Sequence, residues 1–212
     1  FTFRDAHALL SALKKNKRLK HLSLQYMDMS DGCIEVLRDF ASLTSLHLLN
    51  VSVSSKEEIV VKLADLHPSH SPLAASLERL HIHLFTPGIN WRRCTGFLHH
   101  WPKLRELSLC DERRNPTEEL TNFMDHLTLP KKGAEEVGSS TPSSSPQLYS
   151  LQIGEMDDEE LSRSATAAVV DALSRTGLPF FQIYRPSYKK DPAINAQLWR
   201  NQRNFMLGSD LK

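Results

Sequence analysis

Four histidines and a cysteine recur at matching places in short apolar stretches: His21, His47, His81, His83 and Cys110. Neutral imidazoles on neighbouring elements can converge on zinc, and an imidazole beside a thiol can serve as base to a nucleophile. Neither signature is complete. Structural zinc goes with tight C-x-x-C or H-x-x-x-H spacing, which these residues lack, so the sequence predicts no metal and no cofactor. Cys110 with His83 is the only thiol–imidazole pair that adjacent strands would bring together, and a small, partly buried thiol explains Cys110 more simply. A change of charge is the chemistry the imidazoles favour. Several neutral histidines close together take up protons as pH falls to about 6, so any contact made through them would be pH-sensitive.

The elements that position these residues are copies of one phrase. Leu19-Lys-His-Leu22-Ser-Leu24, Leu43-Thr-Ser-Leu46-His-Leu48, Leu77-Glu-Arg-Leu80-His-Ile82, Leu104-Arg-Glu-Leu107-Ser-Leu109 and Leu148-Tyr-Ser-Leu151-Gln-Ile153 all read L-x-x-L-x-[LI], and Leu178-Pro-Phe-Phe181-Gln-Ile183 is a weaker sixth copy. Period-2 spacing of the last two apolar positions predicts a short strand with those residues on one side and the intervening residue on the other. Successive leading leucines are separated by 24 to 34 residues, except that Leu104 to Leu148 spans 44. The segment 130–147 is rich in serine and proline with almost nothing apolar, which predicts a disordered insertion, and setting it aside restores an ordinary spacing. Fixed-period self-similarity of this kind is the sequence mark of a solenoid.

This pattern resembles the leucine-rich repeat family, specifically its helix-containing, ribonuclease-inhibitor-like repeats. The resemblance implies an α/β solenoid, a horseshoe of about six repeats with parallel strands on the concave face and helices on the convex face. It covers residues 1–185, leaving 186–212 as a C-terminal capping helix and tail. The asparagine or cysteine that many such repeats carry three residues after the last apolar position is missing: Met27, Val51, Phe85, Glu112 and Met156 stand there.

Between the phrases, helical spacing predicts the connecting elements. Ala6, Leu9, Leu10 and Leu13 mark a helix over Phe1 to Lys15, read as the helix of a repeat whose strand is missing. Ser30-Asp31-Gly32 starts a second, with Ile34, Leu37 and Phe40 as its buried stripe. Ser55 to Glu58 reads as a capping box for Ile59, Leu63 and Leu66, and His67 to Pro72 as a loop. Ile89, Cys94, Phe97, Leu98 and Trp101 form the apolar side of a further helix. Asn115-Pro116-Thr117-Glu118 caps another, with Leu120, Phe123, Met124 and Leu127 as its stripe. Ile194, Leu198 and Asn201 repeat the spacing of Leu9, Leu13 and Asn16, which predicts a final helix from Pro192 to about Arg203 covering the last strand. Pro179 suits an edge strand.

The 26 basic and 25 acidic residues leave a net charge of +1 and are mixed along the chain, so no global field draws nucleic acid or an anionic membrane. The basic runs around Lys14 to Lys20 and Arg185 to Lys190 lack aromatic interleaving and read as solvated ends. Three cysteines without an even framework fit a reducing compartment, a cytoplasmic or nuclear setting. No apolar run is long enough to span a membrane. Phe1 at the start suggests that more chain precedes it.

If the strands stack in parallel, the residues between the leucines form a polar palm. Those expected to contact a partner are His21, Ser23, Gln25, Ser45, His47, Leu49, Arg79, His81, His83, Glu106, Ser108, Cys110 and Gln152. With no catalytic constellation, the family resemblance implies a non-catalytic module that recognises a protein partner on the concave face. A scaffold subunit, or the substrate-binding part of a larger complex such as a ubiquitin-ligase receptor, fits that description. The alternative comes from the Ran GTPase-activating proteins, relatives with the same repeat that act through polar residues on the repeat rim. Arg92, Arg93, Arg113 and Arg114 fall in such rim loops and could neutralise phosphoryl charge, though no glycine-rich phosphate loop accompanies them.

Overall fold

The computed structural model describes residues 4–53, 59–84, 89, 93–110, 122–126, 148–154, 163–176, 178–183 and 192–209. The capping box at 55–58, the cap at 115–118, the serine-rich segment 130–147, and Leu120 and Leu127 lie outside them.

The chain begins with β1 (Arg4–Asp5), α1 (Ala6–Leu13), β2 (His21–Gln25), β3 (Met27–Met29) and α2 (Asp31–Arg38). It continues through β4 (Ser45–Val53), α3 (Ile59–Ala64), α4 (Pro72–Ser76), β5 (Arg79–Leu84), α5 (Gly96–His100) and β6 (Glu106–Cys110). A helical stretch at 122–126 (α6) precedes β7 (Ser150–Ile153), α7 (Arg163–Thr176), β8 (Phe180–Ile183) and α8 (Pro192–Ser209).

The strands form one parallel sheet in the order β1-β3-β4-β5-β6-β7-β8, with β2 paired beside β4. Every phrase occupies a strand, and the phrases pair residue for residue: Leu46 with Leu80, Leu80 with Leu107, Leu107 with Leu151, Leu151 with Phe181. The second and third apolar residues of each phrase whose exposure is described, from Leu22 to Phe181, are at most 7 % exposed, and they join the buried residues of the helices in one core. Burying a side chain of that size contributes about 1.5–3 kcal/mol, so the stacked leucines are the main adhesive between neighbouring strands. A backbone device repeats with them. The carbonyl of the second phrase residue accepts from two amides of the next phrase: Lys20 from Thr44 and Ser45, Thr44 from Glu78 and Arg79, Glu78 from Arg105 and Glu106, Arg105 from Tyr149 and Ser150. Ser42 and Ser76 add hydroxyl donors to the carbonyls of Leu19 and Leu43.

Tyr26 and Asn50 hold equivalent places two residues past the last apolar position, and both adopt positive φ, 52° and 50°. At Asn50 the register with β5 shifts, and the residues beyond it, Ser52 and Val53, pair with β3. Asn50 thus marks a bulge against β5, while Tyr26 stands between the β2 and β3 ladders to β4 without a change of register.

Several predicted boundaries move. Helix α1 is preceded by a two-residue strand, paired with Met27 and Asp28, where none was expected. The His67–Pro72 loop ends in α4: Ser71 caps it by accepting from the Ala74 amide, and Pro72 takes the first turn, where its missing N–H costs nothing. The helix expected from Ile89 to Trp101 is only α5, and Ile89, Cys94 and Trp101 are buried from outside it. Helix α7, which the sequence reading leaves unassigned, buries Val169, Ala172 and Leu173. Pro179 immediately precedes β8, which closes the strand order. Helix α8 continues to Ser209, past the expected end near Arg203.

The Asn16–Asn201 parallel holds in spacing and fails in role. Asn16 ends α1 in an exposed turn, its side chain accepting from the Arg18 amide. Asn201 lies within α8, buried, and its Nδ2 donates to the carbonyls of Leu173 (2.8 Å) and Leu178 (2.9 Å), while its Oδ1 accepts from Gln197. One side chain thereby ties α8 to the last turn of α7 and to the entry of β8. Replacing Asn201 by leucine removes both donors from buried carbonyls and is expected to cost about 1–3 kcal/mol in urea unfolding.

Gly96 begins α5 against the backbone of α3. A Cβ there would lie 2.3 Å from the carbonyl oxygen of Ala64, so the two helices touch only because no side chain intervenes. Gly96→Val should force them apart and lower stability by at least about 2 kcal/mol, measured by thermal or urea unfolding; an unchanged midpoint would mean that the contact does not constrain the fold.

Candidate functional site

The residues between the buried leucines form three rows across the opposite face of the sheet. His21, Ser45, Arg79, Glu106, Ser150 and Phe180 follow one another in register along the first row. Ser23, His47, His81, Ser108, Gln152 and Gln182 make the second. Gln25, Leu49, His83 and Cys110 make the third. All thirteen residues predicted as partner contacts therefore lie in these rows. Alternation alone explains it: a strand that buries every second side chain in the leucine core must turn the others the opposite way.

Exposure is graded along the rows. His21, Ser23 and Gln25 are open, the middle positions are half-covered, and Ser45, Ser108 and Cys110 are buried between their neighbours. Cys33, Cys94 and Cys110 are all buried and none is in a disulfide. His83 and Cys110 are register partners that line a cleft of about 190 Å³ with Leu49, His81, Ser108 and Gln152. Ser108 Oγ lies 4.0 Å from the Cys110 Sγ, and a hydroxyl is no activating base.

The centre of the face is an imidazole pair. The rings of His47 and His81 stack with centroids 4.4 Å apart and an interplanar angle of 27°. His47 Nε2 is 3.1 Å from Ser45 Oγ, and His81 Nε2 is 3.9 Å from Glu106 Oε2. Burial is the first cause that holds the His47 pKa below the ordinary value; Arg79 and His21 push the same way and Glu106 opposes them. For His81 burial again leads, the neighbouring His47 and Arg79 add to it, and Glu106 pulls back. Two stacked imidazoles cannot both charge cheaply beside a guanidinium, so the pair is neutral at pH 7. Among the described residues no group of three or more His, Cys, Asp or Glu side chains is placed to hold a metal ion.

Arg79 is the unusual member. Its Nε is buried and has no hydrogen-bond partner, and the guanidinium forms no ion pair among the described residues although Glu106 is its register partner on the next strand. A buried donor without an acceptor costs about 1–3 kcal/mol, so the fold keeps this group against its own stability.

Of the rim arginines, Arg93 is placed, and it reaches Asp65 at 3.6 Å. Arg92, Arg113 and Arg114 lie outside the described residues. Among the described residues, no helix is long and apolar enough to cross a membrane. Sequence reasoning missed the neighbourhood of Tyr149, whose ring meets Phe180 and Phe205. The signal was available in the exposed aromatic at Phe180, but its partners come from the edge of a phrase and from α8.

No protein-family model matches the chain, and no curated protein is similar enough to count as a match.

The depressed histidines fix the sign of a pH effect. Because burial holds the pKa values of His47 and His81 below the ordinary 6.5 in the folded chain, the unfolded chain binds more protons once pH falls below that value. Their effect on stability is absent above it and becomes a loss as the solution is acidified. Asp39 acts lower: Lys14, hydrogen-bonded to it, holds its carboxyl below 3.8, so the stability it contributes disappears only in stronger acid. The His47→Gln, His81→Gln double variant should therefore have a flatter dependence of Tm on pH between about 5 and 7 than the parent, with little difference at pH 8. Parallel profiles would show that the pair does not titrate in this range.

Proposed function

We propose that this chain is a leucine-rich repeat solenoid whose concave side is the polar sheet face, and that it serves as a non-catalytic recognition module for a protein partner. The proposal rests on the resemblance carried by the six phrases together with their parallel, in-register pairing. One observation carries the functional part: a buried, unpartnered Arg79 Nε at the middle of an otherwise ordered polar face. The guanidinium also forms no ion pair among the described residues, and a partner carboxylate or carbonyl that reached its terminal nitrogens would make a charge-assisted hydrogen bond, among the stronger single contacts at an interface.

Around Arg79 the face offers stacked imidazoles, hydroxyls and amides, a surface suited to many modest contacts and one well-placed anchor. In this reading the module acts as a scaffold or as the substrate-binding part of a larger assembly, as in a ubiquitin-ligase receptor. A cytoplasmic or nuclear setting fits the three buried thiols.

The test compares captured partners. In cross-linking pull-downs from cell extract, His47→Glu with His81→Glu is set beside Lys103→Glu, an exposed position outside the rows. Partners lost from the double variant and kept by the control, with Tm nearly unchanged in both, are the expected result. A double variant that retains every partner would move the contact to another surface. Nucleotide hydrolysis across a panel of small GTPases, unaffected by the wild-type chain, is the expected outcome that separates this reading from a GTPase-activating one.

A further inference from the structure

We propose that the Phe180 end of the polar face holds a subsite for one positively charged side chain, lysine or arginine, of a partner polypeptide. This deepens the recognition reading above and rests on it for the partner, but the subsite itself is defined by its own geometry.

A cleft of about 360 Å³ opens where the last strands meet α8, lined by Glu106, Tyr149, Phe180, Gln152, Gln182 and Gln202 among others. Its volume falls within the range of sites that enclose a small ligand group. Three aromatic residues, Tyr149, Phe180 and Phe181, contribute to the lining. The Tyr149 ring lies 4.9 Å from Phe180, at 53°, and 5.1 Å from Phe205, at 58°, so residues from the entry of β7, from β8 and from α8 hold one another in place. Phe180 is 40 % exposed and Phe205 49 %, although rings of this size normally gain by burial.

Among the described residues, Glu106 is the only charged one lining this cleft, and none of them neutralises its carboxylate. Arg79, beside it in register, forms no ion pair with it, and the imidazole that does approach, His81 at 3.9 Å, is kept uncharged by burial and by His47. A half-exposed carboxylate sharing a cleft with aromatic faces is an arrangement that attracts an ammonium or guanidinium: the ring quadrupoles and the carboxylate act on the same charge, and the rings cover its aliphatic stem. Gln152, Gln182 and Gln202 supply neutral acceptors around it. An anionic group would meet Glu106 with nothing in the lining to offset it, and a purely apolar group would strand the carboxylate and three amides.

The experiment uses small probes on the whole chain, followed by two-dimensional NMR titration. Nα-acetyl-lysinamide, its trimethyl-lysine analogue and Nα-acetyl-argininamide are the cations; Nα-acetyl-norleucinamide is the neutral isostere. The cations should give saturable shifts centred on Ser150, Phe180 and Gln182, weakened by added salt, and the norleucine probe should not. The ranking among the three cations assigns the side chain. Glu106→Gln, which keeps shape and removes charge, should weaken cation binding on the order of tenfold, and Phe180→Ala, at an exposed position, should do the same through loss of the ring. Equal binding of norleucinamide, indifference to Glu106→Gln, or no saturation by any cation would each overturn the subsite. Since the probes are read without any partner, failure here leaves the pull-down comparison intact, and failure of that comparison leaves probe binding to be judged alone.

Discussion

The structure depends on keeping one register across successive parallel strands. Each phrase has to bury its leucines against those of the next, and the second to fifth phrases at the same step place two amides on a single carbonyl at the strand entrance. The two demands reinforce each other. Sliding a strand by one residue would turn the leucines out of the core and the polar rows into it, and would break the shared carbonyl as well. Apolar burial supplies most of the energy and the hydrogen bonds select the alignment.

The polar face follows from that constraint. No residue on it needs a special turn or cap to reach its place, because alternation brings it there. The remaining freedom is chemical identity, and here the chain makes uneven choices. Ser45, Ser108 and Cys110 fill the rows with small, satisfied or weakly polar groups, whereas Arg79 and Glu106 stand side by side in register without pairing. Opposite charges one strand apart ordinarily form the easiest ion pair on a sheet. Their separation leaves a positive anchor at the centre of the face and a negative one towards the Phe180 end, with a neutral imidazole stack near both.

The six phrase strands, the order in which they pair and the places of the thirteen face residues were legible because period-2 alternation and the L-x-x-L-x-[LI] phrase are local signals that the tertiary structure reuses without change, whereas β1 and β3 carry no phrase and were not. The helices were less so. Pro72 belonged by composition to a loop, yet the same proline starts α4 once Ser71 caps it. Helix α7 combines Ala, Ser and Thr with few large apolar residues, so its inward stripe is faint in sequence. Ile89 and Cys94 share the burial of α5 without sharing its helix, a case in which apolar spacing reports proximity to the core and nothing about backbone. The aromatic cleft was hidden for a different reason. It needs the side of α8 that carries Leu198 and Gln202 to meet β8, and the tie that sets this meeting, Asn201 to Leu173 and Leu178, is a long-range contact no short motif announces.

Among the described residues each ladder links a strand only to its immediate neighbours, and no later strand returns to brace an early one. Mechanical and thermal insults are therefore resisted in series: the weakest junction limits how far order propagates, much as in a row of coupled spins. The β1 end has a two-residue ladder, while α8 clasps the other end through a buried amide. Of these two junctions the former is the weaker, so within the described sheet order is lost more easily beside β1 than beside the clasp.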